Sequence, residues 1–270
     1  MIIERMYVEH EEGSVSTDPF VIGDEGCIYK ATQEAMLSQA EQEAGKGRSI
    51  RYITPFVPEQ NMQHLYDCIY SLAGEKKLKV TFNDYGFLFR CLDLIKDGNI
   101  IPVLGRLLTR SIIDSPWSDE IMKQEEADLS AAVLGPSFIH EAKIEVLNRY
   151  NIYELEVNIC APSFIEEWHR MGMKVTGYAN NALISIGRTC YSARWHAITG
   201  ECSGTEACRS PISIELSKKW SRKNFMYQDA SHQDRQRYGG MYILGNAVYR
   251  QQDSADALAG LMGNYDYMIV

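Results

Sequence analysis

Short β-branched runs alternate with amphipathic stretches along most of the chain, and a turn closes each run. Phe20-Val21-Ile22 leads into Gly23-Asp24-Glu25-Gly26-Cys27, and residues 31–44 follow with helical patterning. Residues 50–54 form a second run, ahead of Met62, Leu65, Ile69 and Leu72, which share one helical face. Leu78-Lys79-Val80-Thr81-Phe82 ends at Asn83-Asp84-Tyr85-Gly86, with a helical pattern over residues 87–96. Ile100-Ile101-Pro102-Val103-Leu104 predicts a fourth strand, whereas the acidic stretch 111–134 shows no clear period.

The second half repeats the theme. Ile139, Ala142, Val146 and Leu147 lie on one face of a helix predicted over residues 137–150, and residues 153–159 alternate as a strand. Ser163 with Glu166, just after Pro162, is a capping-box pattern that opens a helix carrying Phe164, Ile165, Trp168 and Met171. Residues 174–178 predict a sixth strand and residues 241–248 a seventh. A short helix over 253–261 and an apolar strand over 265–270 close the pattern. Alternating βα units imply parallel strands joined by crossovers. Seven or eight of them in 270 residues favour a TIM-like (β/α) barrel, regular or incomplete, over an open sheet. No linker or low-complexity segment divides the chain, so residues 1–270 read as one domain.

Composition narrows the function classes. With 45% hydrophobic residues the chain can bury a large core, and no run of about eighteen uncharged apolar residues is present to span a bilayer. Acids near the N-terminus, where a signal peptide needs a cationic start, point to a cytoplasmic protein. A net charge of −9 disfavours nucleic acid as a partner. The one basic run with an aromatic, residues 218–223, reads as a solvated loop rather than a phosphate or RNA contact. Phosphate-binding loops, the dinucleotide fingerprint, His-Glu-x-x-His and the Gly-x-Ser-x-Gly elbow are all missing.

Three of the seven cysteines, Cys190, Cys202 and Cys208, crowd into a polar stretch rich in Gly, Ser and Thr. Clustered thiols in such a loop point to a soft metal or a disulfide, and an odd count in a reducing compartment weakens the disulfide. In a (β/α) barrel the loops after the strand C-termini share one face, so Cys27, behind the first strand, would join Cys190, Cys202 and Cys208, behind the sixth. Structural zinc favours Cys-x2-Cys knuckles, which are missing, while dispersed thiolates suit an iron–sulfur cluster; His196 is a further candidate ligand or a substrate-facing group. Cys68, Cys91 and Cys160 read as buried thiols instead.

The run Gly187-Arg188-Thr189-Cys190-Tyr191-Ser192-Ala193-Arg194 resembles the Ala/Gly-Arg-x-Cys-Phe/Tyr-x-Ala-Arg segment of the collagenase-like U-32 peptidase family. It is closest to the branch acting in oxygen-independent ubiquinone hydroxylation. The turns at residues 21–27 and 82–86, and loosely residues 241–246, are similar to that family's segments in the same order, so the likeness spans most of the chain. The resemblance implies a 4Fe-4S cluster on Cys27, Cys190, Cys202 and Cys208, and a role in hydroxylating a small organic substrate with an oxygen donor other than dioxygen. It also implies two alternatives: an accessory or electron-transfer subunit paired with a second family member, and a peptidase. Residues 105–109 lack the family's Asn-containing turn, and the last two cysteines stand further apart than in that branch.

On this reading Asp84, Tyr191 and Arg194 are candidate catalytic residues, Asp84 and Tyr191 for proton transfer and Arg194 to orient an anion. Arg106, Asn180, Arg188 and His196 are candidate substrate contacts, the arginines as bidentate carboxylate clamps. Most have a plainer alternative: a rim salt bridge for the arginines, a turn-capping carboxylate for Asp84, a polar strand end for Asn180 and a solvated ring for His196.

Overall fold

A computed structural model describes residues 7–9, 19–73, 78–109, 141–179, 181–197, 211–215, 217–221, 226–229, 231–232, 235, 240–251 and 264–269. Seven strands run parallel: β2 (Phe20–Gly23), β3 (Ile50–Ile53), β4 (Leu78–Phe82), β5 (Ile100–Leu104), β6 (Glu154–Asn158), β7 (Lys174–Tyr178) and β14 (Tyr267–Ile269). They lie side by side in chain order, and β1 (Tyr7–Glu9) adds an antiparallel edge next to β14.

Among the described residues the α-helices between them are α1 (Ile28–Ala31), α2 (Glu34–Gly45), α3 (Met62–Ala73), α4 (Tyr85–Arg90), α5 (Leu92–Lys96), α6 (Arg106–Thr109), α7 (Glu141–Arg149) and α8 (Pro162–Arg170). Their apolar stripes, such as Leu65, Cys68 and Ile69 on α3 and Ile165 and Trp168 on α8, bury against one face of the sheet. That face presents Ile22, Tyr52, Val80, Phe82, Leu104, Leu155 and Val175. Among the described residues no helix is long and apolar enough to cross a membrane.

The other face is polar and charged, because strand side chains alternate. It carries Arg51, Lys79, Thr81, Glu154, Glu156, Thr176 and Tyr178. Arg51 on β3 donates to Glu156 on β6, three strands away in the sheet. In a flat sheet those strands would stand about 14 Å apart with their side chains projecting in parallel. The sheet is therefore curled, with this charged face on the inside. Among the described residues no ladder joins β2 to β1 or β14, and the parallel strands form a curled half-barrel sheet flanked by helices.

Gly23 fixes the turn that leaves β2. Its φ is +77°, and a Cβ there would lie 2.2 Å from the Ile53 carbonyl oxygen of the neighbouring strand. Gly23→Ala is expected to cost about 3 kcal/mol through strain and clash. Gly47→Ala is the control: φ there is +89° with open space around it, and the expected loss is about 1 kcal/mol. Urea-unfolding midpoints of the two variants measure the difference.

The second half departs from the pattern in four places. Residues 241–248 are two strands, β12 (Met241–Leu244) and β13 (Ala247–Gln251), joined by a tight turn at Gly245-Asn246 with Gly245 at φ +66°. They belong to a separate antiparallel sheet in the order β8-β13-β12-β9, with β8 (Asn181–Ile186) and β9 (Ile212–Ile214), so they add no strand to the parallel sheet. Cys190 accordingly follows β8 rather than the sixth parallel strand, and Tyr191–Trp195 form a short helix, α9. Residues 218–221 are not loop but β10 (Lys218–Ser221), paired with β11 (Met226–Asp229).

Helix α8 begins at Pro162 with Ala161 as its N-cap and no side-chain cap, because proline's fixed φ suits the first helical position. Ser163 is thus already inside the helix. The stretches 111–134 and 253–261 lie outside the described residues.

Candidate functional site

The carboxyl ends of the parallel strands carry the chemistry-bearing turns. Behind β2, Asp24 accepts from the Gly26 backbone N–H at 2.8 Å and tightens the turn Asp24-Glu25-Gly26-Cys27, leaving Cys27 buried at the N-cap position of α1. Behind β4, the Asn83 side chain donates to the Thr54 carbonyl at 2.8 Å and accepts from Leu107 N–H at 3.0 Å, fixing the start of α6. Gly105 is required there, since a Cβ would meet Asn83 Oδ1 at 2.3 Å.

The β12–β13 turn touches the segments that carry two of the candidate ligands, Cys27 and Cys190. Gly245 donates its N–H to Ser192 Oγ at 2.9 Å, and its carbonyl accepts from Ser192 N–H at 3.0 Å. Asn246 Nδ2 donates to the Gly187 carbonyl at 2.8 Å while Gly187 N–H donates to the Asn246 carbonyl at 2.7 Å. These four bonds clamp the segment on both sides of Cys190. On the opposite flank a Cβ on Gly245 would meet the Gly26 carbonyl oxygen at 3.3 Å, and one on Gly26 would meet Asn246 Oδ1 at 3.1 Å. The Cys27 turn and the Cys190 segment therefore pack against one hairpin turn. Cys190 is half-buried at the N-cap position of α9, where its Sγ accepts from Ala193 N–H at 3.3 Å.

Beneath that turn lies Arg106, 2% exposed. One terminal nitrogen donates to Glu25; the other donates to Asn158 Oδ1 at 3.2 Å and to the Asn181 carbonyl at 2.8 Å. The guanidinium carbon stacks 3.6 Å from the centre of the Tyr178 ring. Burial works against the Arg106 charge, but Glu25, with Tyr178 and Tyr249, more than offsets it and holds the group above its usual range. Deeper in the curl, Glu156 accepts from Thr81 at 2.9 Å, from Tyr178 Oη at 2.7 Å and from Arg51, while Glu154 meets Lys79 at 2.7 Å. Three carboxylates thus face three cations across the inner face.

The remaining sequence-predicted residues are dispersed. Asp84 caps α4, accepting from Phe87 N–H at 2.8 Å. Tyr191 packs its ring on Gly187, where a Cβ would lie 2.7 Å from the hydroxyl. Arg188, Arg194 and His196 are exposed, with Arg188 5.9 Å from the Phe56 ring. Asn180, Cys202 and Cys208 lie outside the described residues. Cys68 and Cys91 sit in the helix–sheet core, and burial pushes the Cys91 thiol up to about 12.

Sequence reasoning missed Glu25, Asn158, Tyr178 and the organising role of Gly245-Asn246. The Glu154-Leu155-Glu156-Val157-Asn158 alternation carried a signal for the inner face, but the pairing of Glu25 with Arg106, 81 residues apart, had none. The chain matches no family model, no curated protein and no solved structure.

Proposed function

We propose that the chain holds a 4Fe-4S cluster on Cys27, Cys190, Cys202 and Cys208 at the carboxyl end of a TIM-like (β/α) barrel. We further propose that it takes part in oxygen-independent hydroxylation of a small organic substrate in the cytoplasm. The packing of the Cys27 turn and the Cys190 segment on the Gly245-Asn246 turn carries this reading. The donor chemistry fits: cluster iron takes thiolates, Cys190 accepts a backbone N–H, and Cys27 is shielded from solvent. Bound there, a cluster would supply electron exchange. The chain's own contribution is a charged inner face beneath the site and exposed cations beside it. Arg188 and Arg194 are suited to orient an anionic donor or substrate, with Tyr191 between them to hold a proton. Asp84 already spends one oxygen on capping α4, which favours a structural role for it.

Anaerobic purification with iron and sulfide quantitation tests the reading, and about four irons per chain are expected. Incubation with candidate substrates should give product without label from heavy dioxygen. Stoichiometric zinc with no iron in anaerobic protein would sink the cluster. Activity that appears only with a second, homologous chain, and survives loss of these cysteines, would make this protein the accessory subunit.

A further inference from the structure

We infer that Arg106 is a positioning residue that locks the Cys27 turn to the strand leading to Cys190, rather than part of a substrate clamp. The inference rests on the reading of those two thiols as partners in one site. A carboxylate clamp needs an open guanidinium fork, and both terminal nitrogens of Arg106 are engaged within the protein, by Glu25 on one side and by Asn158 and Asn181 on the other. Among the described residues Nε alone lacks a partner, which is too little for bidentate recognition.

What the fork does hold is informative. Glu25, 1% exposed, sits in the same turn as Cys27. Asn181 opens β8, whose far end runs through Gly187 to Cys190. Asn158 grips β8 a second time, accepting from Leu183 N–H at 3.0 Å and donating to the Leu183 carbonyl at 3.1 Å. Arg106 itself cannot drift, because Asn83 pins the first turn of α6 and Tyr178 covers the guanidinium face. One rigid, planar cation therefore joins the end of β2 to the start of β8, two segments with no shared ladder. Lysine keeps the charge but presents a single point on a flexible stem, so it can satisfy one side of this junction and not both.

The test reads Cys27 directly and needs no iron. Metal-free protein is alkylated with iodoacetamide, and labelling of each cysteine is followed by peptide mass analysis. Cys27 is 8% exposed and Cys91 fully buried in the core, so Cys91 reports global unfolding. In Arg106→Lys, Cys27 should label about tenfold faster or more, as expected when a charge-assisted hydrogen bond no longer closes a local opening. Cys91 should stay at its wild-type rate. Thr81→Val, which loosens the Arg51–Glu156 contacts without touching Arg106, should leave Cys27 slow. Unchanged Cys27 labelling in Arg106→Lys, or labelling that rises only in step with Cys91, overturns the inference. Absence of iron from wild-type protein overturns the metal reading instead, and the labelling result still decides whether Arg106 holds the turn.

Discussion

Arg51→Met is expected to cost about 3–5 kcal/mol of folding stability, because it strips the cation from a buried carboxylate pair. Arg51 is 2% exposed and faces Glu156 directly, Glu154 at 3.5 Å and the Thr81 hydroxyl at 3.2 Å. Methionine fills a similar volume, so packing changes little and the loss reads the electrostatics. Glu154 keeps Lys79 and Glu156 keeps two hydroxyls, but neither hydroxyl carries a charge to replace the guanidinium. Urea denaturation gives the stability difference. Adding Glu156→Gln to Arg51→Met should recover part of it, since a neutral amide is left where an unpaired carboxylate stood. A loss below about 1 kcal/mol would show that water reaches the inner face and screens these charges, as at an exposed ion pair.

Cys27→Ser and Cys190→Ser are each expected to bring anaerobic iron content from about four per chain to below about one, since a cubane rarely survives loss of a thiolate ligand. Cys68→Ala and Cys160→Ala should leave iron unchanged. Burial raises the Cys68 thiol and keeps it protonated near neutral pH, unsuited to metal, and Cys160 sits at the end of β6 with its backbone tied to Tyr265. Iron and acid-labile sulfide assays on the four proteins settle the pattern. Equal iron in Cys27→Ser and wild type would remove Cys27 from the site, whatever becomes of the other three.

The parallel sheet was legible because its strands are punctuated. Runs such as Leu78-Lys79-Val80-Thr81-Phe82 are bounded by turn residues, and β3, β4, β5 and β7 fall within a residue of the pattern. The antiparallel sheet was not. Only Ala179 and Asn180 separate β7 from β8, so the two strands merge in the sequence. A two-residue turn likewise hides the break between β12 and β13. The charged inner face was half legible: glutamates at 154 and 156 alternate correctly, but an acidic strand face looks the same whether it meets water or a buried arginine. Of the candidate site, the ends of the strands located Cys27 and Arg106, while the reason Arg106 is buried lies in long-range pairing that no local period encodes.

The neighbours of β14 bear on how the chain is made. Tyr178 on β7 pairs with Ile269 on β14, and β14 also takes Tyr7 to Glu9 of β1 along its other edge. During synthesis the edge of β7 stays open until residues 267–269 emerge, while everything from β8 to β13 is already available to fold above it. Both β1 and β7 must therefore wait for the same short strand. Such late, long-range closure slows folding and leaves an unpaired edge exposed to other nascent chains, so removing residues 267–269 should affect soluble yield in the cell before it affects the chemistry of the cysteine turns.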